Sequence, residues 1–280
     1  MSIFLDSELT ATERSEGARF RVIPVPLERT VSYGSGTAKG PEAIIEASNE
    51  LERITGHAEP CIEGIFTEEP VDCDASLSEI MERLAQRTEA AIRADKVPVT
   101  LGGEHSLSYG AVMGVARALG QPIGIVQIDA HADLRDAYQG EKHSHASVMH
   151  LLAEEGIRLA QFGVRAFSTE EAQSRLKNLV FHVDAENLVT GNIHAVDLPE
   201  DFPKLVYVSF DVDGLDPAIM PATGTPVPGG LGYYQALRLV EHALKGRKCV
   251  GFDVVELAPN GNAAWDFTAA QIVYRLMAAC

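Results

Sequence analysis

Six side chains of types that bind metal ions occur in three short motifs of this sequence. They are two histidines and four aspartates: His105, Asp129, His131, Asp133, Asp211 and Asp213. In extended backbone, side chains two residues apart point to the same face, so the D-x-H-x-D and D-x-D spacings each present their ligands on one face. Four carboxylates packed together repel one another strongly unless cations lie between them. The pattern therefore predicts a site for two divalent cations.

The ligand types indicate the ions and the chemistry that this site would support. Mixed imidazole and carboxylate ligation without thiolate is typical of manganese, iron or zinc. Two divalent ions side by side lower the pKa of a water molecule, which can then attack a poor electrophile near neutral pH. Such a reaction also needs a general acid, and an imidazole titrates in the right range. The candidates are His143, His145 and His150, and spacing alone does not choose among them.

Four short apolar runs precede the polar motifs and predict the elements that position them. The runs cover residues 97–101, 123–128, 205–210 and 249–252, and weaker candidates cover 19–25, 156–162 and 178–183. Such runs are too short for helices and do not alternate, which is typical of strands buried on both faces of a parallel sheet. Ligands of open parallel sheets bind beyond the carboxyl ends of the strands, where the polar motifs lie.

Segments with helical character separate these runs. They cover residues 41–51, 77–94, 106–118, 145–155, 169–176, 233–244 and 263–279. Alternation of strands and helices predicts an α/β fold with a parallel sheet. No linker or internal repeat divides the sequence, so we expect residues 1–280 to form a single domain.

Composition and charge exclude several classes of protein. Hydrophobic residues make up 46% of the 280 residues, which excludes a disordered chain. The 23 basic and 40 acidic residues give a net charge of −17, which argues against nucleic acid and anionic membranes as partners. No apolar run reaches the ~18 residues of a membrane span, and Asp6 and Glu8 interrupt any signal-peptide stretch. The composition predicts a soluble, cytoplasmic protein.

The four cysteines support the same compartment. They are scattered along the chain: Cys61, Cys73, Cys249 and Cys280. None has the C-x-x-C spacing of a zinc ribbon, and the pattern indicates no disulfide framework. We therefore expect unpaired thiols in a reducing cytoplasm.

The three polar motifs, in this order, resemble the signature motifs of the ureohydrolase family, which includes arginases, agmatinases and formiminoglutamases. They read GGEHS at 102–106, DAHAD at 129–133 and SFDVDGLDP at 209–217, and the resemblance extends from about Val31 to the final helical segment. It implies a three-layer α/β/α domain around a central, mostly parallel eight-stranded sheet. It also implies homo-oligomers, usually trimers or hexamers.

The resemblance implies a site with two Mn²⁺ per chain and a role for each ligand. His105 and Asp133 would bind one ion, and His131 and Asp213 the other. The remaining two aspartates, Asp129 and Asp211, would bridge both ions.

The resemblance also implies hydrolysis of a guanidinium group to urea and an amine. Asp133 would take the proton of the attacking water, and His145 would be the general acid that protonates the leaving amine. Glu256 would hold the guanidinium through charge-assisted hydrogen bonds. The expected substrate is therefore a small cationic guanidino compound.

Two departures from the arginase pattern favour an agmatinase. Arginases have an asparagine two residues beyond the D-x-H-x-D motif, where this chain has Arg135. The acidic pair that arginases carry after G-[LIV]-R is replaced here by Ala166, Phe167 and Ser168. We therefore expect agmatine to be converted to urea and putrescine, a step of polyamine biosynthesis.

Several alternatives stay open, and arginase activity is one of them. Guanidinobutyrate or formiminoglutamate hydrolysis is possible because Arg135 could pair with a substrate carboxylate. Outside the family, the alternatives are a metal-dependent deacetylase or a non-catalytic paralogue, and the six intact ligands disfavour both.

Overall fold

The computed structural model describes residues 2–280, so Met1, the first residue of the expected domain, lies outside the described residues. The described strands are β1 Phe20–Val25, β2 Ile65–Thr67, β3 Val97–Gly102, β4 Ile123–Ile128, β5 Arg158–Phe162, β6 Phe181–Val183, β7 Leu205–Asp211 and β8 Lys248–Val255. They form one sheet in the order β2-β1-β3-β8-β7-β4-β5-β6, and every neighbouring pair is parallel. The predicted α/β fold with an eight-stranded sheet is confirmed, and the sheet is parallel throughout.

Helices cover both faces of this sheet. They are α1 Gly40–Ser48, α2 Leu77–Arg93, α3 Ser108–Leu119, α4 Val148–Glu154, α5 Thr169–Lys177, α6 Ala185–Thr190, α7 Tyr233–Ala243 and α8 Ala263–Ala279. In β4, Val126 and Ile128 pack into a core with α1, α6, α7 and α8. Ile123 and Ile125 pack into a second core with α2, α3 and α4. Because alternate side chains of a strand point to opposite faces, the two cores give the three expected layers.

The length and apolar character of the helices show whether one of them could span a membrane. Within residues 2–280, none of the helices is long and apolar enough to cross a bilayer.

The four strong apolar runs of the sequence are the four central strands, β3, β8, β7 and β4. The weaker strand candidates are β1, β5 and β6, and the seven predicted helices are present with ends shifted by a few residues. The segment predicted as one helix from residue 145 begins with a short 3₁₀ helix, His145–Ser147, before α4. Two elements, β2 and α6, were not predicted because runs this short have no readable periodicity.

Two motif glycines allow loops at the carboxyl ends of the strands to lie against other backbone. A Cβ atom at Gly103 would lie 2.2 Å from the carbonyl oxygen of Leu27. A Cβ atom at Gly214 would lie 2.8 Å from the backbone nitrogen of Asp129. Both separations are too short for any side chain, so these glycines let the loops after β3 and β7 pack beside the other motifs.

The cysteine expectation is wrong for one pair, because Cys249 and Cys280 form a disulfide with their Cα atoms 4.9 Å apart. Cys249 is the second residue of β8, and Cys280 directly follows α8. Helix α8 returns the end of the chain to the amino end of β8, which a separation of 31 residues in the sequence does not reveal. Cys61 and Cys73 are unpaired, as expected. The cysteine argument for a reducing compartment therefore does not apply to this pair.

We expect Cys280→Ser to lower the free energy of unfolding by about 3–4 kcal/mol under non-reducing conditions. Closing a loop of 31 residues with a cross-link removes conformational entropy from the unfolded chain by about this amount. Urea denaturation of the wild type and the variant measures the difference, with Cys73→Ser as the matched control. Adding dithiothreitol should bring the wild type to the midpoint of Cys280→Ser. Equal midpoints without reductant would contradict the cross-link.

Candidate metal centre and adjoining cavity

The buried imidazole of His105 faces three carboxylates. His105 begins a short 3₁₀ helix just after β3, which aims its side chain across the carboxyl edge of the sheet. Its Nδ1 lies 2.9 Å from an oxygen of Asp133, 3.1 Å from one of Asp129 and 3.4 Å from one of Asp211. The motifs after β3, β4 and β7 therefore meet at one point, as the carboxyl-edge argument predicted.

The second imidazole, His131, forms a neighbouring group. Its Nδ1 lies 3.0 Å from Oδ2 of Asp213 and 3.6 Å from Oδ1 of Asp129. Asp129 thus directs one oxygen toward each histidine. Two triads of candidate ligand atoms result, His105–Asp129–Asp211 and Asp129–His131–Asp213, and they share Asp129. Asp133 belongs to neither triad, although it is the carboxylate nearest to His105 Nδ1.

The backbone that brings these ligands together is extended only in part, so the alternation argument gave the right grouping for an incomplete reason. Strand β4 ends at Ile128, before the motif begins, and Asp133 has a left-handed φ of 51°. Asp211 ends β7 and caps a 3₁₀ helix, Val212–Gly214, by accepting a hydrogen bond of 2.8 Å from the backbone nitrogen of Asp213. Turns direct Asp133 and Asp213 into the cluster, whereas Asp211 is still the last residue of strand β7.

A hydroxyl and a carboxylate set the orientation of the His105 ring. The hydroxyl of Ser209 donates a hydrogen bond of 2.8 Å to Asp253, and His105 Nε2 lies 2.9 Å from the same hydroxyl. Because the hydroxyl hydrogen is directed to Asp253, Nε2–H must be the donor to Ser209 when the ring is neutral. Nδ1 is then left with its lone pair toward the three carboxylates. Histidines that bind metals are commonly held in this way.

The donor set fits divalent cations. His105 Nδ1 is buried and makes no hydrogen bond with any of residues 2–280, although three carboxylate oxygens lie within 3.4 Å of it. Several ligand atoms that converge on one volume without hydrogen-bond geometry suit a shared cation. Nitrogen and oxygen donors without sulfur are the set that manganese, iron or zinc accepts.

The ionisation of the cluster agrees with a site for positive charge. Burial alone would lower the pKa of His131, but the neighbouring carboxylates of Asp129 and Asp213 outweigh it and raise this pKa to about 12. Burial and the neighbouring carboxylates raise the pKa of Asp211 well above its usual value, and that of Asp133 also rises. Without a cation, protons must balance the packed carboxylates, which is the behaviour of a site that holds cations.

Sequence reasoning missed the side chains that support the ligands. Gln127 donates a hydrogen bond of 2.7 Å to Asp129 and accepts one of 2.7 Å from Gln161. Gln161 in turn accepts a hydrogen bond of 2.9 Å from Arg175. A usable signal was present, because Gln127, like Ser209 and Asp253, is a polar residue inside a largely apolar strand. Buried polar groups need partners, so such residues mark contacts between strands.

A cavity of about 290 Å³ adjoins the cluster. Its wall includes His131 and Asp133 of the cluster together with Arg135, Tyr138, His145 and Phe167. Of the three candidate acids, His145 is the one on this wall. The ring of His143 packs against Tyr109 with centroids 5.2 Å apart, and His150 Nε2 lies 3.3 Å from Asp136. The geometry therefore distinguishes three histidines that their spacing could not.

Arg135 is on the cavity wall but its charge has a partner. Its Nη2 lies 3.8 Å from an oxygen of Glu171, and its guanidinium carbon lies 5.8 Å from the centre of the Tyr138 ring. Glu171 is held in place because it also accepts hydrogen bonds from the backbone nitrogens of Leu134 and Ser168. The positive charge of Arg135 on the cavity wall is thus partly balanced.

Glu256 lies beside the cluster, directly after the last residue of β8. Its carboxylate accepts a hydrogen bond of 2.6 Å from the backbone nitrogen of His105, and its backbone has a left-handed φ of 65°. Burial raises the pKa of Glu256 to about 8. A cationic group placed next to this carboxyl would favour its ionised form.

A sequence model described as "Arginase family" matches residues 18–279. The chain belongs to the arginase family. Membership confirms the resemblance drawn from the three motifs, and it places the chain outside the family of the deacetylase alternative.

Curated relatives of this arginase-family chain support the same enzyme class. The N(1)-aminopropylagmatine ureohydrolase of Thermus thermophilus is 41% identical over 92% of this chain and 89% of its own. The agmatinase of Pyrococcus horikoshii is 33% identical over 96% of this chain and 94% of its own. The predicted agmatinase-like amidinohydrolase is therefore confirmed as the class of enzyme.

Solved structures agree with the fold of this arginase-family chain. The agmatine ureohydrolase of Thermoplasma volcanium superposes with a TM-score of 0.83 at 28% identity, over 100% of this chain and 94% of the other. The proclavaminate amidino hydrolase of Streptomyces clavuligerus gives a TM-score of 0.84 at 25% identity, over 100% and 96% of the two chains. The arginase-like layering expected from the sequence is thus confirmed.

Proposed function

We propose that this arginase-family chain converts agmatine to urea and putrescine with two Mn²⁺ per chain. The observation that supports this proposal best is the convergence of the six predicted ligands beside a cavity that His145 also lines. The partners that we propose are a cationic guanidino substrate and further copies of the chain in a trimer or hexamer.

Five of the six proposed ligands belong to the two triads, and Asp133 is added as the carboxylate nearest to His105 Nδ1. His105 and Asp133 would hold one ion, since their ligand atoms lie 2.9 Å apart, and His131 and Asp213 the other. The bridging ligands would be Asp129 and Asp211. When bound, two such ions supply a water molecule of lowered pKa.

Three side chains of the protein would act on the reacting groups. Asp133 lines the cavity next to the cluster, where its carboxylate can accept the proton of the attacking water. His145 would donate a proton to the leaving amine nitrogen, and the burial that lowers its pKa makes it readier to release that proton. Glu256 would hold the guanidinium, whose charge compensates the cost of ionising a buried carboxyl.

The balance of charge at the cavity supports an amine tail over a carboxylate tail. Glu171 partly neutralises Arg135, so the wall near Tyr138 attracts a carboxylate less strongly than an unpaired arginine would. This feature favours agmatine over guanidinobutyrate and formiminoglutamate. The name of the Thermus relative suggests a second candidate, the aminopropyl derivative of agmatine, which has the same guanidinium group and a longer amine tail.

We expect kcat/KM for agmatine or its aminopropyl derivative to exceed that for arginine by at least ~10²-fold, about 2.7 kcal/mol of transition-state binding. A pocket that does not hydrogen-bond the α-carboxylate and α-amine of arginine gains nothing from that head group. Urea release from a panel of guanidino compounds measures the preference. Guanidinobutyrate as the best substrate, with its advantage lost in Arg135→Ala, would contradict the proposal and support a carboxylate-binding role for Arg135.

A further inference from the structure

Glu104 is a fully buried carboxylate for which the reaction described above has no role. One oxygen, Oε2, accepts hydrogen bonds from the backbone nitrogens of Arg29 at 2.5 Å and Thr30 at 2.7 Å. The other oxygen, Oε1, accepts hydrogen bonds from the hydroxyls of Thr30 at 2.8 Å and Ser106 at 2.6 Å. Four donors around one buried carboxylate hold it in a single orientation.

The hydroxyl of Thr30 connects this carboxylate to His145. It donates its single hydrogen to Glu104 and accepts a hydrogen bond of 3.0 Å from the backbone nitrogen of His145. The ring nitrogen Nδ1 of His145 lies 3.1 Å from the same oxygen. Because the hydroxyl has no second hydrogen to give, Nδ1 must carry the hydrogen of this contact.

We propose that Glu104 and Thr30 are positioning residues that hold the ring of His145 in the tautomer with its hydrogen on Nδ1. The inference rests on the proposed function, in which His145 is the general acid. The other ring nitrogen, Nε2, lies 3.5 Å from the hydroxyl of Ser32, which also lines the cavity. Nε2 is then the nitrogen that exchanges the catalytic proton.

This arrangement lets the ring release a proton without rearranging its contacts. In the acid step, the Nε2–H bond breaks and an N–H bond forms on the leaving nitrogen, so the positive charge passes from the imidazolium to the product amine. The neutral ring that remains carries its hydrogen on Nδ1, which is the tautomer that Thr30 accepts. The edge contact with Tyr138, at 5.3 Å between ring centres and 75° between planes, also keeps the ring from turning over. The acid is thus held ready in both protonation states.

Glu104→Gln provides the sharpest test, because it should reverse the direction of the hydrogen bonds that the Thr30 hydroxyl makes with residue 104 and with His145 Nδ1. The two backbone N–H groups at Oε2 cannot become acceptors, so the amide oxygen must take that position. The amide nitrogen would then face Thr30 and donate to its hydroxyl. The hydroxyl hydrogen would be released to His145 Nδ1, and the ring hydrogen would move to Nε2.

The tautomer can be measured directly by long-range ¹H–¹⁵N correlation spectra of the full chain labelled with ¹⁵N-histidine. The protein is prepared without manganese, which would broaden the signals, and is kept at a pH where the ring is neutral. His145→Asn identifies the signals of His145. We expect an Nδ1–H ring in the wild type and in Thr30→Ser, and a shift toward Nε2–H in Thr30→Val and Glu104→Gln.

Activity supplies a second, independent readout. In manganese-loaded protein, kcat of Thr30→Val should fall by roughly 10²-fold, at the low end of what a general acid contributes. The metal content should be unchanged, and Thr30→Ser should restore most of the rate.

Two spectroscopic results would overturn the inference: an Nε2–H ring in the wild type, or wild-type spectra in the Thr30→Val variant. If Glu104→Gln does not fold, the comparison of Thr30→Val with Thr30→Ser decides alone. A wild type that releases no urea from any guanidino compound would instead refute the proposed function, because the tautomer is observed without turnover.

Discussion

Asp129→Asn is expected to reduce the bound metal from two ions per chain to one or none, and to lower urea release by at least ~10²-fold. Asp129 is the residue that both ligand triads share, with one oxygen 3.1 Å from His105 Nδ1 and the other 3.6 Å from His131 Nδ1. An amide removes the negative charge and presents N–H donors where a cation would lie. Even residues that only support a metal ligand typically account for ~10–10²-fold in affinity or activity, so a shared ligand should cost more.

Elemental analysis of the purified, manganese-loaded protein measures the first effect, and a urea assay measures the second. Asp201→Asn is the matched control, because Asp201 lies before β7 at the opposite edge of the sheet, where its exposed side chain pairs with Arg158. That control should retain both ions. An Asp129→Asn protein that binds two ions with wild-type affinity would contradict the shared-ligand assignment.

His145→Asn should separate proton transfer from metal binding. We expect this variant to retain both ions and to slow turnover by roughly 10²–10⁴-fold, which is the usual contribution of a general acid. The reason is positional, because His145 lines the cavity and none of the ligand triads includes it. Asparagine is smaller than histidine but still polar, and it cannot donate a titrating proton.

The other two histidines of the same segment provide the controls. His143 packs on Tyr109, and His150 lies near Asp136 and Glu154, so both substitutions to asparagine should leave most of the activity. Steady-state kinetics with metal analysis of all three variants makes the comparison. Full activity in His145→Asn together with loss of activity in His143→Asn or His150→Asn would assign the acid role to a different histidine.

The strands and the grouping of the ligands could be predicted because both depend on short-range patterns. Continuous apolar runs identified β3, β4, β7 and β8, and the carboxyl-edge rule then placed three separate motifs at one point. The turns that direct the aspartates could not be predicted, since the left-handed backbone of Asp133 is uncommon outside glycine. A tertiary context that supports such a conformation is not written in the local sequence.

The supporting contacts were unpredictable for a different reason. Thr30 and His145 are 115 residues apart, and Ser209 and His105 are 104 apart, so no spacing rule relates them. In both cases a hydroxyl accepts a hydrogen bond from a ring N–H and donates a hydrogen bond to a buried carboxylate. The sequence offers the residue types, but only the packing of separate strands and loops decides which hydroxyl meets which ring.

The expected single domain of residues 1–280 stays a prediction.

The disulfide has a consequence for how long a molecule of this enzyme lasts. Cys249 and Cys280 lie at the amino end of β8, whereas the ligands and the cavity lie beyond the carboxyl ends of the strands. Reduction would loosen the attachment of α8 without touching any group that binds or reacts. A reduced molecule should therefore keep its turnover rate while it is folded. Its activity should have a shorter half-life, because the chain unfolds faster and proteases cleave it faster. The disulfide, which should set the half-life of activity, and the candidate metal centre, which should set the turnover rate, thus lie at opposite edges of the same sheet.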